Sequence, residues 1–307
     1  MRFLNVSQIN KAIQSDVEAF IKKANSDYKR KIDFVASDVA ENLKEKPLIL
    51  LSGPSGSGKT TTAYRIQDAL NEIGISAHTI SMDNYFITKD KIDTVDVPRD
   101  ENGEVDLESP YRIDIPLFQE QMKKLFLCEK VDVPTFDFIN QSYSSFTPMQ
   151  RKENEVIIIE GIHALNPILT GDIDEHANFV YVSVRTRLKN SNGDILHPSQ
   201  VRLMRRLIRD RLFRGRKYDE IFAMFSSVQR GENLYIMPHK ERANYNIDTF
   251  IDYEACVYKG VIYDELKQLK ETAFPDLRSM TLKYLKELEV IPPELVPDNA
   301  LIKEFIG

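Results

Sequence analysis

Cysteine is scarce: Cys128 and Cys256 are the only two in 307 residues, far apart, with no CxxC pair and no Cys/His cluster. That pattern fits a reduced cytosolic protein without structural zinc. Nowhere do 18 apolar residues run together, so no membrane span is expected. The opening MRFLNVSQINKAIQSDVEAF has no continuous apolar stretch followed by small residues, which argues against a secretory signal and makes the cytoplasm the expected compartment. Positive charge is in deficit as well. With 41 Lys and Arg against 47 Asp and Glu, the net charge is −6, which argues against general coating of nucleic acid. No internal repeat or low-complexity tract is present. What remains is a chain 42% hydrophobic and 29% charged, long enough for one large α/β domain with appendages or for two modest domains.

Hydrophobic periodicity divides it. Residues 1–45 place Ile9, Ile13, Val17, Phe20, Ile21, Ala24 and Tyr28, then Ile32, Val35, Val39 and Leu43, at steps of three and four. These predict two amphipathic helices or one bent one, a helical extension docked on the main body. From Pro47 the pattern changes. PLILLSG is an apolar run ended by glycine, suited to a buried parallel strand, and an amphipathic helix with Ala63, Ile66, Leu70 and Ile73 on one face follows, closed by Gly74. ISAHTISM (75–82), EVIIIEG (155–161) and NFVYVSV (178–184) predict further strands, with NIDTFID (246–252) as the candidate fifth. Strands alternating with helices imply βαβ units and a parallel sheet covered on both faces. Segment 87–105 is polar and turn-prone, hence an expected exposed loop; 131–149 suits a small β-hairpin outside the sheet. The expected division is a helical extension 1–45, a central α/β domain 46–256, and a helical tail 257–307 packed on it.

Residues 53–60, Gly-Pro-Ser-Gly-Ser-Gly-Lys-Thr, complete the pattern G-x-x-x-x-G-K-[ST] between a predicted strand and a predicted helix. In such a loop Gly53, Ser55, Gly56, Ser57, Gly58, Lys59, Thr60 and Thr61 cradle nucleotide phosphates. The glycines let successive N–H groups converge, Lys59 reaches the β/γ-phosphates, and Thr60 offers a hydroxyl to Mg²⁺. Ligands of an open parallel sheet bind beyond the carboxyl ends of its strands. Asp83 and Glu160 stand at two such ends. Their placement suggests Asp83 as general base and Glu160 near the metal, with Asp83 also within reach of it. The run RLMRRLIRDRLFRGRK (202–217) sets seven arginines and a lysine against one acid, Asp210. In an acidic protein such a run needs an anionic target. A phosphoryl group in transfer suits the planar guanidinium fork better than RNA or a merely solvated helix face.

These pieces resemble the uridine kinase and phosphoribulokinase family over about residues 47–256. The resemblance rests on GPSGSGKTT (53–61), SMDNYF (81–86), DLESPYRID (106–114), VPTFDF (133–138), IIIEGIHALN (157–166) and RRLIRDRLFRGR (205–216). NPILT, RGENLYIMP and the final ALIKEFIG resemble a bacterial uridine-kinase-like subgroup. The resemblance implies a P-loop NTPase-type α/β fold: a five-stranded parallel sheet with helices on both faces, a hairpin excursion and a mobile arginine-rich lid helix. It implies ATP as donor with Mg²⁺, Asp83 as catalytic base, and Thr60 and Glu160 at magnesium positions. Glu108 matches the acid that holds ribose hydroxyls, and Arg206, Arg209, Arg214 and Arg216 match lid and substrate arginines. The base-reading positions depart from the family. Phe136 and Gln141 stand for a tyrosine and a histidine, Met224 for a glutamine, and the tyrosine after the catalytic aspartate is shifted to Tyr85-Phe86. The expected activity is phosphorylation of a ribonucleoside 5′-hydroxyl in nucleoside salvage, uridine or cytidine first. A sugar phosphate or purine nucleoside is the alternative acceptor, and a nucleotide-binding regulatory or RNA-associated module the alternative class. The expected partner is a nucleoside-like small molecule, without membrane or nucleic acid; homo-oligomerisation stays open. His163, after the Glu160 turn, is expected to serve local packing, with a substrate or relay role as the alternative.

Overall fold

The computed structural model describes residues 2–99, 103–269 and 271–307. Five parallel strands form the central sheet in the order Tyr245–Asp248, Ala177–Ser183, Leu48–Ser52, Val156–Glu160, Ala77–Ser81. The strand that carries the phosphate loop is in the middle, and the apolar runs explain why. Leu48 to Leu51 and Val156 to Ile159 are fully buried, as residues covered on both faces must be. Period-two alternation sorts them into two clusters. Ile49, Leu51, Val156 and Ile158 join one face, while Leu48, Leu50, Ile157 and Ile159 join the other.

The first face is covered by the helices Val6–Glu41, Lys59–Glu72 and Pro198–Arg214, together with buried residues from the carboxyl-terminal segment. The second is covered by the helix Ile115–Phe126 and the base of an antiparallel hairpin, Lys130–Asp137 with Ser142–Gln150. The amino-terminal extension is one long helix broken at Asp16, whose side chain accepts the Ala19 N–H and caps a fresh start. Its Ile21, Ala24, Tyr28, Ile32 and Val39 share one hydrophobic cluster with the sheet and with Leu301, Ile302 and Phe305 of the tail.

Four local expectations change. Phe3–Asn5 forms a strand paired with Arg187–Lys189, which in turn pairs with Ile195–Leu196. Elements of two or three residues are too short to leave a periodic signature. The fifth strand ends at Asp248, and Thr249 turns beneath the phosphate loop instead. Within the segment expected as an exposed loop, Ile87, Thr88 and Val97 are buried; residues 100–102 lie outside the described residues. The helix that begins the tail starts at Glu254, before the expected boundary. Among the described residues, no helix is long and apolar enough to cross a membrane.

Candidate active site

All five strands point their carboxyl ends at one cleft. Ser52 leads into the phosphate loop, which closes at Gly58 in a left-handed conformation (φ 84°) that also caps the helix Lys59–Glu72. Lys59 is half-buried and Thr60 is exposed at the helix start. The Ser57 hydroxyl is buried without a partner, a donor that a phosphate oxygen can satisfy.

Three side chains hold the loop from beneath. Arg205 donates to the Gly56 carbonyl (3.1 Å), the Thr249 hydroxyl to the Ser57 carbonyl (2.6 Å), and Arg202 to the Ser55 carbonyl (3.2 Å). Arg205 and Glu254 form an ion pair (2.7 Å) with neither side chain exposed, and Arg202 pairs with Glu232 (2.5 Å). These two arginines therefore stabilise the loop and are already neutralised. Sequence composition counted them with the rest of the run because pairing partners 30 and 49 residues away leave no local signal.

Arg211 faces Glu265 (3.5 Å) and the Tyr218 ring; the other four arginines of the run converge. Fully buried Asp210 faces Arg209 (2.8 Å), Arg214 (3.2 Å), Arg216 (3.4 Å) and Arg206 (3.5 Å). Burial pushes its carboxyl up, but Arg209, Arg206 and Arg214 outweigh that and hold it below the usual range. Four cations less one anion leave a net of three positive charges at the helix end, a surplus matched to phosphates. Arg206 also donates to the Ser55 hydroxyl (2.5 Å), tying this cluster to the loop.

Asp83 opens the single turn Met82–Tyr85 after the edge strand Ala77–Ser81. Water reaches it, yet it is crowded by protein in the cleft. Desolvation raises its pKa, opposed by Lys59 and by Arg214 of the arginine cluster. Glu160 is buried and likewise raised: burial dominates, Lys59 opposes, repulsion from Asp83 adds, and a Ser81 hydrogen bond tempers it. Two carboxylates kept up by burial, Glu160 also by the charge of Asp83, form with the Thr60 hydroxyl at the helix start a donor set whose acids a divalent cation would relieve. Magnesium commonly takes one or two carboxylates and leaves its other positions to water and phosphate. The residues fit Mg²⁺.

Glu108 reaches the same cleft from a separate loop. Burial lifts its carboxyl to about 7, opposed by Arg206 and Lys59 and assisted by Asp106 and Asp83. Its backbone N–H donates to Asp106 (3.1 Å), and Asp106 is fixed by Tyr235 (2.9 Å) and Arg230 (2.8 Å). Its side chain packs on Gly231, where a Cβ would lie 2.2 Å from the Glu108 Cβ. His163 is buried near the Glu108 backbone, edge-on to Tyr235 (6.2 Å), its Nδ1 without a hydrogen-bond partner, and pushed down by burial to about 3. It is a neutral support under Glu108.

The base-reading candidates separate. Tyr85 is fully buried, its hydroxyl on Gln121 (2.8 Å) and its ring edge-on to Phe118 (5.2 Å), so it is a packing residue and not a wall of the cleft. Its neighbour Phe86, the other half of the shifted Tyr85-Phe86 pair, meets Phe136 (5.7 Å) and Phe138 (5.8 Å) and lies under Arg112 (5.5 Å). Phe136 is buried in this group. Gln141 sits exposed at the hairpin turn (φ 49°), its carbonyl accepting the Lys89 N–H. Met224 is half-buried on the helix Tyr218–Gly231.

The family model described as phosphoribulokinase / uridine kinase family matches residues 48–256. The chain is 32% identical over 204 residues to the uridine kinase of Staphylococcus aureus (strain JH9), covering 66% of this chain and 87% of that protein. It is 31% identical over 202 residues to the uridine kinase of Lactobacillus helveticus (strain DPC 4571), covering 65% and 85%. A D-glycerate 3-kinase from Cryptococcus neoformans var. grubii aligns with a TM-score of 0.47 at 16% identity, over 66% of this chain and 88% of that one.

Proposed function

The chain belongs to the phosphoribulokinase / uridine kinase family, phosphotransferases acting on hydroxyl groups, and from that premise we propose that it transfers the γ-phosphoryl of ATP to the 5′-hydroxyl of a ribonucleoside, uridine or cytidine first. One observation carries the reading. Glu160 pairs in register with Leu51, just before the phosphate loop, and with Ser81, just before Asp83, and Lys59 is near enough to lower the carboxyls of Asp83, Glu160 and Glu108, which supports one site for donor, base and acceptor.

In this reading the loop amides and Lys59 hold the triphosphate, and Glu108 accepts hydrogen bonds from the ribose diol to aim the 5′-hydroxyl. Asp83 takes the proton of that hydroxyl as it attacks, and its raised pKa makes it a better acceptor than an ordinary aspartate. Arg214 and Arg209 stabilise the charge spreading over the transferred group, pre-arranged by Asp210 at no cost during reaction. Thr60, Glu160 and Asp83 would hold Mg²⁺, which when bound neutralises phosphate charge. Closure of the arginine helix would exclude water, which otherwise competes as acceptor.

The RNA-associated alternative weakens because Arg202, Arg205 and Arg211 each pair with a glutamate and the other four arginines gather on Asp210, with Arg214 close enough to Asp83 to feel its charge. A second acceptor class keeps support from the hairpin. Phe86 and Phe138, backed by the buried Phe136, offer an aromatic surface without a base-edge hydrogen bond, so purine nucleosides or sugar phosphates stay in view. ADP release above the no-acceptor background, measured with uridine, cytidine, inosine, guanosine, 2′-deoxyuridine and a panel of sugar phosphates, decides. The expected result is turnover of more than one ribonucleoside within about two orders of magnitude in kcat/KM. Turnover of a sugar phosphate with no nucleoside activity would replace the acceptor.

A further inference from the structure

The carboxyl-terminal residues 299–307 lie against the phosphate loop. Leu301, Ile302 and Phe305 are buried in the cluster that includes the helix Lys59–Glu72. The Leu301 methyl groups touch Gly58, at 3.1 Å from where a Cβ there would stand, and the Phe305 ring lies 5.0 Å from the Arg205 guanidinium. Between these anchors Glu304 turns its carboxylate to the first turn of that helix. Its Oε2 accepts from the Thr61 hydroxyl (2.5 Å) and from the Thr61 N–H (3.4 Å). The charge reaches the rest of the site: it pushes Glu160 up and supports Arg205.

The N–H and hydroxyl groups of the first turn after a glycine-rich loop are the donors that a nucleotide phosphate needs. Here two of them already serve an anion, and that anion belongs to the chain itself. A carboxylate and a phosphate cannot both take the Thr61 donors, and they repel each other at that distance. We infer that Glu304 is a built-in competitor for the nucleotide: it occupies Thr61 in the free protein and withdraws when a phosphate oxygen takes its place. The inference rests on the ATP reading of the loop and adds what sets its affinity. Binding is weakened by the fraction of molecules in which Glu304 holds Thr61. Leu301 and Phe305 keep the backbone docked, so exchange requires only a side-chain rotation. Glu304 is therefore a positioning residue for Thr61 whose removal strengthens nucleotide binding, the opposite of what a purely structural cap would do.

The test is equilibrium binding of ATP, inorganic tripolyphosphate and adenosine to the full chain and to Glu304→Gln and Glu304→Ala. The glutamine variant keeps shape and side-chain length; circular dichroism verifies folding of both. The expected result is ATP and tripolyphosphate bound about tenfold tighter by both variants, the scale of one partly exposed charge-assisted hydrogen bond, with adenosine unchanged. Unchanged or weaker ATP binding in both variants, while the wild type binds ATP, would overturn the inference and leave the ATP site standing. Failure of every protein to bind either ATP or tripolyphosphate would overturn the ATP reading itself, and this inference with it.

Discussion

The two halves of the cleft are built by different means. The donor half is backbone: one contiguous loop of eight residues, held from beneath by Arg205 and Thr249 and capped by a helix start. The proposed acceptor half is side chains gathered from separate segments: Glu108 from a loop, Phe86 after the edge strand, Phe136 from the hairpin, and Gly231 from a helix end. Backbone amides present the same donors whatever the surrounding side chains, so the donor half tolerates little sequence change and needs little. A side-chain pocket changes with every substitution in four places. The difference teaches that a chain of this kind can keep its chemistry while altering its acceptor.

Removing the proposed base that joins the two halves should have the largest effect. Asp83→Asn removes the proton acceptor and should lower kcat by ~10²–10⁴ while ATP affinity stays near the wild-type value. Steady-state kinetics with the preferred acceptor, alongside nucleotide binding, tests both parts. Full turnover in the variant would show that another group takes the proton.

The acceptor half should break more selectively. Gly231→Ala would bring a Cβ to 2.2 Å from the Glu108 Cβ and 2.6 Å from its Cγ, so Glu108 must move. A misplacement of about 1 Å can cost on the order of 10²-fold, here expected in kcat/KM for the acceptor with the KM for ATP unchanged. An equal loss for both substrates would mean that the helix end, and not Glu108, was disturbed.

The same division decided what could be read in the sequence. The phosphate loop, Asp83, Glu160 and four of the five strands follow from contiguous patterns, because strand burial and loop geometry are set by neighbouring residues. Tyr85 could not be placed so, since only the turn Met82–Tyr85 reveals that its ring points into the core and Phe86 toward the hairpin. The buried Arg205–Glu254 pair and the contact of Glu304 with Thr61 join residues 49 and 243 apart. Sequence distance hides such pairs, and composition misreads them: the arginine run looks uniformly free until its partners are seen. Gly231 reads as an ordinary glycine near a helix end, and its contact with Glu108 is visible only in three dimensions.

The finest comparison is electrostatic and concerns Glu108, whose carboxyl stands at about 7 because burial outweighs Arg206 and Lys59. From about pH 4.5, where an unfolded glutamate ionises, up to about 7, the folded chain keeps a proton that the unfolded chain has released. The folded state then binds more protons, so this group's contribution to stability falls as pH rises across that window and levels off above it. Function should run the other way. Only the carboxylate accepts hydrogen bonds from a diol at both oxygens, so kcat/KM for the acceptor should climb with a midpoint near 7. Asp83 and Glu160 are also raised, and the variant Glu108→Gln separates them from Glu108. In that variant the thermal-unfolding profile should lose part of its decline between about pH 4.5 and 7. The acceptor KM should lose its step near neutrality, while any pH dependence of kcat carried by Asp83 persists. An acceptor KM profile identical in wild type and Glu108→Gln would place the diol-holding group elsewhere, and with it the whole acceptor half.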